Sequence, residues 1–294
     1  MAALPRRPSQ EAHTFLAGDE NVTHSDSFGG TVAGMGERTQ YTPGTFSWTD
    51  LSTTDQEAGK AFYAGLFGWT YDDSPVGDGV YYSMAKLGDK FVAAVSLQPQ
   101  QQRDAGAPPA WNSYVTVQDA DQTLTRAKEL GATVHADAFD VMEAGRMGVV
   151  QDPQGAYFLV WQPNQHIGAG LVNAPGALAW NELGSQDLDG SAKFYGDLLG
   201  WTTTPMEGAD PTYLVISTAD GHSNGGIRPP APPGTPPFWL VYFASSDLDA
   251  SLSKVSELGG NVLVGATDIG IAKIAVAQDP QGAVFALYEG RLDD

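Results

Sequence analysis

The sequence contains no cysteine among its 294 residues, which excludes disulfide bonds, thiol nucleophiles and cysteine-ligated metal sites. Basic residues are also scarce, because 15 Lys and Arg stand against 35 Asp and Glu and give a formal net charge of -20. A charge of this sign repels nucleic-acid phosphates and anionic lipid headgroups. We therefore expect no nucleic-acid partner and no membrane partner.

Long apolar runs are missing as well. No stretch reaches the roughly 18 apolar residues needed to cross a bilayer, and the basic pair Arg6 and Arg7 is not followed by the apolar core of a secretory signal. These absences predict a cytoplasmic protein. The sequence also lacks a Ser/His/Asp arrangement, a phosphate-binding glycine loop and a nucleotide fingerprint, so hydrolase, kinase and dehydrogenase functions have no support. No histidine occupies a repeated position, and we assign none to catalysis.

Two copies of one pattern make up most of the chain. The same blocks recur in the same order, which composition alone does not produce. They are Trp-x-acid-Leu at 48–51 and 180–183, Phe-Tyr at 62–63 and 194–195, Gly-Trp at 68–69 and 200–201, Pro-Pro-x-Trp at 108–111 and 236–239, Glu-Leu-Gly at 129–131 and 257–259, and Asp-Pro-Gln-Gly-Ala at 152–156 and 279–283. The repeat predicts two similar domains.

Apolar periodicity and turn signals predict two strand-helix-strand-strand-strand modules in each copy. In the first copy, Asp55 is placed to cap a helix that ends at Gly68, and a second helix is expected from Asp119 to Leu130, where Gly131 stops it. The strands are expected at 45–51, 80–87, 91–97, 113–117, 133–136, 148–151 and 157–161. We divide the chain into an N-terminal extension (1–43), domain 1 (44–162), a linker (163–175), domain 2 (176–290) and a C-terminal tail (291–294).

The order of the modules, with Phe-Tyr on the first helix and Asp-Pro-x-Gly before the last strand, resembles the vicinal-oxygen-chelate (VOC) superfamily of glyoxalases, bleomycin-resistance proteins and dioxygenases. The full set of blocks is similar to its tandem two-domain branch. The resemblance implies an α+β fold of tandem VOC domains, in which each domain has two βαβββ modules that form a curved mixed-sheet cup with helices outside. The copies would be related by an approximate two-fold axis, in a pseudo-dimeric monomer or in a homodimer.

In that superfamily, up to four His, Glu or Gln side chains point into a cup and bind a metal ion. The resemblance places these positions at Trp48, Ala93 or Ala94, Asn112 and Leu159 in domain 1, and at Trp180, Gly225 or Gly226, Leu240 and Ala286 in domain 2. A divalent ion needs several oxygen, nitrogen or sulfur ligands at about 2 Å, which these residues do not supply. We therefore predict no metal and no other cofactor.

Strand periodicity adds an acidic residue to each cup. If Trp48 and Trp180 point inward, then Asp50 and Glu182, two positions further along, also point inward. The same argument predicts inward side chains at Asn112, Tyr114, Tyr157 and Trp161 in domain 1, and at Tyr242 and Tyr288 in domain 2. A carboxyl group on an apolar wall suits proton transfer near neutral pH, but it can equally well bond backbone amides and close the sheet.

Two functions follow from this prediction. The first is a metal-independent lyase, isomerase or cyclase that uses Asp50 or Glu182 in acid-base catalysis on a small apolar or aromatic metabolite, with the cup of domain 1 as its site. The second is a non-catalytic protein that holds a drug or metabolite between aromatic rings. The recurrence of an acid in both cups favours the enzyme, because sequestration requires only apolar walls.

Overall fold

The computed structural model describes residues 36–77, 79–206, 212–230 and 233–292, so most of the predicted N-terminal extension lies outside the described residues. The elements of the first copy are β1 (Phe46–Thr53), α1 (Gln56–Phe67), β2 (Thr70–Gly77), β3 (Val80–Leu87), β4 (Lys90–Leu97), α2 (Gln100–Asp104), β5 (Ala110–Thr116), α3 (Ala120–Glu129), β6 (Thr133–Val141), β7 (Gly145–Gln151) and β8 (Tyr157–Pro163). Their strands form one sheet in the order β2-β3-β4-β1-β5-β8-β7-β6. All strands of the first sheet therefore come from the first copy.

The second copy repeats this arrangement. Its elements are β9 (Leu178–Gly184), α4 (Leu188–Leu199), β10 (Thr202–Pro205), β11 (Leu214–Ser217), β12 (Ser223–Arg228), β13 (Phe238–Ala244), α5 (Leu248–Glu257), β14 (Asn261–Asp268), β15 (Ala272–Gln278) and β16 (Val284–Gly290). The sheet order is β10-β11-β12-β9-β13-β16-β15-β14, and both sheets mix parallel and antiparallel pairs. The predicted α+β fold of two tandem mixed-sheet domains is confirmed.

The first helix of each copy begins at a capping aspartate and ends at a glycine. The Asp55 side chain accepts a hydrogen bond from the Ala58 amide at 3.0 Å, and Gly68 ends α1 with a left-handed φ of 74°. Asp187 and Gly200 do the same for α4. Among the described residues, no helix is long and apolar enough to cross a membrane.

One strand of domain 1 was not predicted. The segment 70–77 contains two aspartates, a proline and a glycine, which are typical of a loop, yet it forms β2. This strand lies at the edge of the sheet, where proline and charged residues are tolerated because one side of the backbone has no partner strand. The short helix α2, between the expected strands 91–97 and 113–117, was not predicted either.

Two reciprocal contacts join the domains beneath the helices. The Tyr63 hydroxyl of α1 donates to Asp279 Oδ2 at 3.1 Å, and the Tyr195 hydroxyl of α4 donates to Asp152 Oδ2 at 2.8 Å. In both contacts the tyrosine also accepts a hydrogen bond of 2.9 Å from the tryptophan of its own Pro-Pro-x-Trp block. Reciprocal pairing of this kind is expected of copies related by an approximate two-fold axis.

Candidate functional site

Asp50 lies at the centre of a hydrogen-bond network in cup 1, the face of the first sheet that carries Trp48 and Asp50. Its Oδ2 accepts hydrogen bonds from the hydroxyls of Tyr114 at 2.6 Å and Tyr82 at 3.0 Å, and its Oδ1 accepts one from Asn112 Nδ2 at 2.7 Å. Trp48 Nε1 in turn donates to the Tyr82 hydroxyl at 2.9 Å. The strand register produces this arrangement, because Trp48 pairs with Tyr114 and Asp50 pairs with Asn112.

The Asp50 carboxyl group is held by neutral donors in apolar surroundings. The residue is 5% exposed. Burial raises its pKa above the ordinary value, and the hydrogen bonds from Tyr114, Asn112 and Tyr82 offset part of this effect. Burial, and then the charge of Asp50, raise the pKa of both tyrosines well above the ordinary value, so both phenols remain protonated donors.

The linker between the domains covers cup 1. Its backbone joins the sheet between β1 and β4, because the Ala169 amide donates to the Ser47 carbonyl at 2.7 Å and the Gly170 amide to the Phe91 carbonyl at 2.8 Å. Glycine is needed at 168, since a Cβ there would lie 2.3 Å from the Ser47 carbonyl oxygen and the backbone has a φ of 112°. Trp48 is consequently only 3% exposed.

His166 of the linker lies directly over the wall of cup 1. Its ring meets Trp48 edge-on with centroids 4.6 Å apart, and its carbonyl accepts a hydrogen bond from Trp161 Nε1 at 2.9 Å. Within the described residues His166 Nε2 is buried and has no hydrogen-bond partner, and burial lowers the pKa of His166 to about 4. The ring is therefore neutral at physiological pH and packs against Trp48 as part of the linker that covers cup 1.

Cup 2, the face of the second sheet that carries Trp180 and Glu182, repeats most of this network. Trp180 Nε1 donates to the Tyr213 hydroxyl at 3.0 Å, as Trp48 does to its own tyrosine. Tyr213 packs over Gly226, the partner of Glu182 in the sheet, and Tyr242 lies on the neighbouring strand β13. Burial, and then the Glu182 charge, raise the pKa values of both tyrosines. An acid between two tyrosines, one of which is bound to a tryptophan, is thus common to both cups.

An arginine distinguishes cup 2 from cup 1. Arg228 Nε donates to the Glu182 carboxylate and forms an ion pair with it. The strand registers show that Arg228 occupies the position of Ser96 in cup 1. Glu182 is therefore a charge-paired carboxylate, whereas Asp50 has neutral donors.

The apolar wall of cup 2 is partly open to solvent. Its buried floor consists of Leu240, Tyr242 and Ala286. Around the floor lie the partly buried side chains of Trp180, Phe238, Ile274, Val276, Val284 and Tyr288. The wall of cup 1 instead belongs to the main hydrophobic core, which includes Ala169 and Val172 of the linker. Cup 2 is thus the more accessible of the two.

One residue predicted for cup 1 lies away from the Asp50 network. Tyr157 is 49% exposed and packs against His135, with ring centroids 5.0 Å apart. Trp161 is buried at the opposite end of β8, and Tyr288 holds the corresponding place in cup 2. The network residues that the sequence analysis missed are Tyr82, Tyr213, Arg228 and His166.

The positions that bind a metal in VOC proteins do not present a fitting donor set here. The register selects Ala94 and Gly226 as the second positions, and Gly226 leaves space for Tyr213, whose hydroxyl would lie 2.1 Å from a Cβ. Within the described part of the chain, no group of three or more His, Asp or Glu residues could hold a metal ion. Each cup offers one carboxylate, which is already engaged by neighbouring side chains.

Both halves of the chain match family models. Residues 177–287 match the Glyoxalase/Bleomycin resistance protein/Dioxygenase superfamily, and residues 48–161 match a Glyoxalase-like domain. Together with the fold, these matches show that the chain belongs to the VOC superfamily, as two tandem domains.

Similar proteins have different names. The CFP32 protein of Mycobacterium tuberculosis, provisionally named a glyoxylase, is 44% identical over 258 residues, which cover 87% of this chain and 98% of that protein. Anthracycline biosynthesis protein DauV of Streptomyces sp. (strain C5) is 34% identical over 275 residues, covering 86% of this chain and 96% of DauV. The Mn(II)-bound glyoxalase of Novosphingobium aromaticivorans shares the fold with a TM-score of 0.59 at 15% identity, covering 86% of this chain and 85% of that one.

Proposed function

We propose that the protein is a metal-independent acid-base enzyme that binds a small apolar or aromatic metabolite in cup 2, where Glu182 transfers a proton. One observation carries this proposal: Glu182 is 4% exposed among the residues of an apolar cup whose rim remains partly open. A concave apolar wall with few polar groups is typical of small-molecule sites. A base in such a wall can reach a substrate proton while most water is excluded.

The exposure of the surrounding wall favours cup 2 over cup 1, which the sequence analysis had chosen: Trp180 is partly exposed and Trp48 is buried, while Asp50 and Glu182 are buried to the same degree. A substrate could reach Asp50 only after the linker left the sheet, because the linker bonds β1 and β4 and covers Trp48. The Asp50 oxygens also hold three hydrogen bonds already. These contacts support a structural role for Asp50, in which it ties β1, β3 and β5 together.

The names of similar proteins support the ligand class. DauV is named for anthracycline biosynthesis, and anthracyclines are polycyclic aromatic compounds. Trp180 and Tyr288 are partly exposed on the wall of cup 2, so their rings offer surface on which an aromatic ligand can stack. Stacking on aromatic side chains contributes about 0.5–1.5 kcal/mol beyond the burial of apolar area.

Two matched substitutions test the location. Ile274 and Met147 hold the same place in the two cups, because they pair with Tyr288 and Trp161. The protein is mixed with a small-molecule extract of the cells that naturally make it, and the compounds that it retains are detected by native mass spectrometry. We expect Ile274→Arg to abolish retention of aromatic compounds and Met147→Arg to leave it intact. Loss in Met147→Arg alone would place the site in cup 1 and refute the proposal.

The chemistry is tested with the same extract in heavy water. A compound that gains deuterium or changes mass with the wild type, and about 10²-fold more slowly with Glu182→Gln, would identify the substrate. The alternative function is non-catalytic sequestration, for which the apolar rim of cup 2 would suffice. In that case wild type and Glu182→Gln would retain the same compound unchanged.

A further inference from the structure

The ion pair of cup 2 points to the kind of proton that Glu182 removes. Resting on the proposed function, we infer that Arg228 receives the oxyanion formed by proton transfer, so that the substrate is an apolar or aromatic carbonyl compound with an acidic C–H beside the carbonyl. The structural basis is the direct bond between Arg228 Nε and the Glu182 carboxylate in a cup whose other polar groups are neutral tyrosine hydroxyls and whose wall is mainly apolar.

Arg228 is placed to bind an additional oxygen. Its side chain is 26% exposed, against 6% for that of Glu182, so the guanidinium lies nearer to the open rim of cup 2. Among the described residues its hydrogen bonds go to Glu182 and, from Nη1 at 3.1 Å, to the Pro229 carbonyl. A guanidinium carries five N–H donors, so donors remain for a ligand.

The proposed step conserves charge in the cup. Glu182 takes the proton from the carbon beside the carbonyl, the electrons of the broken C–H bond form a C=C bond, and the carbonyl π electrons move to its oxygen. The carboxylate thereby becomes a neutral acid while the substrate becomes an enolate. Arg228 exchanges one anionic partner for another, and no unpaired charge is created in apolar surroundings, where an unpaired charge would cost several kcal/mol.

Cup 1 lacks the group that this step requires. Ser96 stands in place of Arg228, and the donors around Asp50 are neutral. An enolate beside Asp50 would therefore have no cationic partner there. This difference between two otherwise similar networks assigns oxyanion binding to domain 2.

Two probes distinguish binding of an oxyanion by Arg228 from binding of an aromatic ring by the apolar wall of cup 2. 4-Nitrophenol has an ionisable oxygen, and its phenol and phenolate absorb at different wavelengths, whereas 4-nitroanisole has nearly the same shape and cannot ionise. We expect wild-type protein to bind 4-nitrophenol as the phenolate at a pH where the free probe is mostly neutral. Arg228→Gln should weaken phenolate binding about ten- to hundredfold, the scale of a charge-assisted hydrogen bond. Both proteins should bind 4-nitroanisole equally.

Substitution of the acid should have the opposite effect. Glu182→Gln removes the anion that competes for Arg228, so phenolate binding should become tighter while 4-nitroanisole binding stays the same. Arg228→Lys should restore part of the phenolate binding. Because Arg228→Gln leaves Glu182 buried without a cation, the double variant Glu182→Gln, Arg228→Gln provides a neutral pair for comparison with Glu182→Gln.

The possible outcomes test the oxyanion role of Arg228 and the location of the site in cup 2 independently. Equal phenolate binding by Glu182→Gln and by the double variant, with 4-nitroanisole binding intact, would overturn the oxyanion role and leave the proposed function standing. Binding of 4-nitroanisole that survives Ile274→Arg would overturn the location in cup 2 itself. Tighter phenolate binding by Glu182→Gln that is lost in the double variant would support the inference.

Discussion

Gly168 holds the linker on the sheet, and its replacement gives a sharp test of how cup 1 is closed. A Cβ at this position would lie 2.3 Å from the Ser47 carbonyl oxygen, and the φ of 112° is one that L-residues rarely adopt. Strain of this backbone conformation costs about 1–3 kcal/mol and the steric overlap a further 1–3 kcal/mol. We expect Gly168→Ala to lower the free energy of unfolding by about 2–6 kcal/mol, as measured by urea denaturation.

Gly170 provides the matched control two residues further along. A Cβ there would meet its nearest neighbour, the Lys90 side chain, at an ordinary 3.8 Å, and the backbone is outside the left-handed region. Gly170→Ala should therefore change stability by less than about 1 kcal/mol, in either direction.

Hydrogen exchange shows whether the cost arises in the linker. The Ala169 and Gly170 amides bond the carbonyls of Ser47 and Phe91, so they should exchange slowly in the wild type and faster in Gly168→Ala. Equal stability of Gly168→Ala and Gly170→Ala, or unchanged exchange in the linker, would refute the account of cup 1 as a cup closed by its linker.

Two further predictions concern buried carboxyl groups, with chemical denaturation at several pH values as the measurement. Tyr195→Phe removes the hydroxyl that donates to the Asp152 carboxylate, so it should lower the free energy of unfolding by about 1.5–3 kcal/mol at neutral pH. Because burial raises the folded-state pKa of Asp152, this carboxyl group is protonated in acid, and the loss should be smaller there. Burial raises the folded-state pKa of Asp50 as well, so its ionisation lowers the stability of the wild type as pH rises through that pKa, and Asp50→Asn lacks this contribution. The free energy of unfolding of Asp50→Asn, relative to that of the wild type, should therefore increase from acidic to neutral pH. A difference that stays constant with pH would contradict the raised pKa of Asp50.

The sequence predicted the fold well because the fold depends on features that both copies share. The capping aspartates, the glycines that end helices and the apolar alternation recur in each copy, and each has a local physical cause. The strand β2 was missed because its residues are those of a loop and its formation depends on β3, a partner that local propensity does not reveal.

The site was predicted only in part, because repeats reveal what two copies have in common. Asp50 and Glu182 followed from strand alternation beside repeated tryptophans. Arg228 is matched by a serine in domain 1, so a search for shared residues passes over it. Tyr82 lies on a predicted strand, but its orientation depends on the register with β4, which becomes known only when the sheet is assembled.

The covalent connection itself makes the two cups unequal. Two tandem copies have one linker between them, and here that linker leaves β8 at Pro163, returns His166 over Trp48 and bonds the ends of β1 and β4. The corresponding wall of cup 2, with Trp180, remains partly open. Asp50 in the covered cup is held by neutral donors, whereas Glu182 in the partly open cup is paired with Arg228. The same fold therefore carries two polar networks of different charge, and the proposed proton transfer by Glu182 uses the network of the partly open cup.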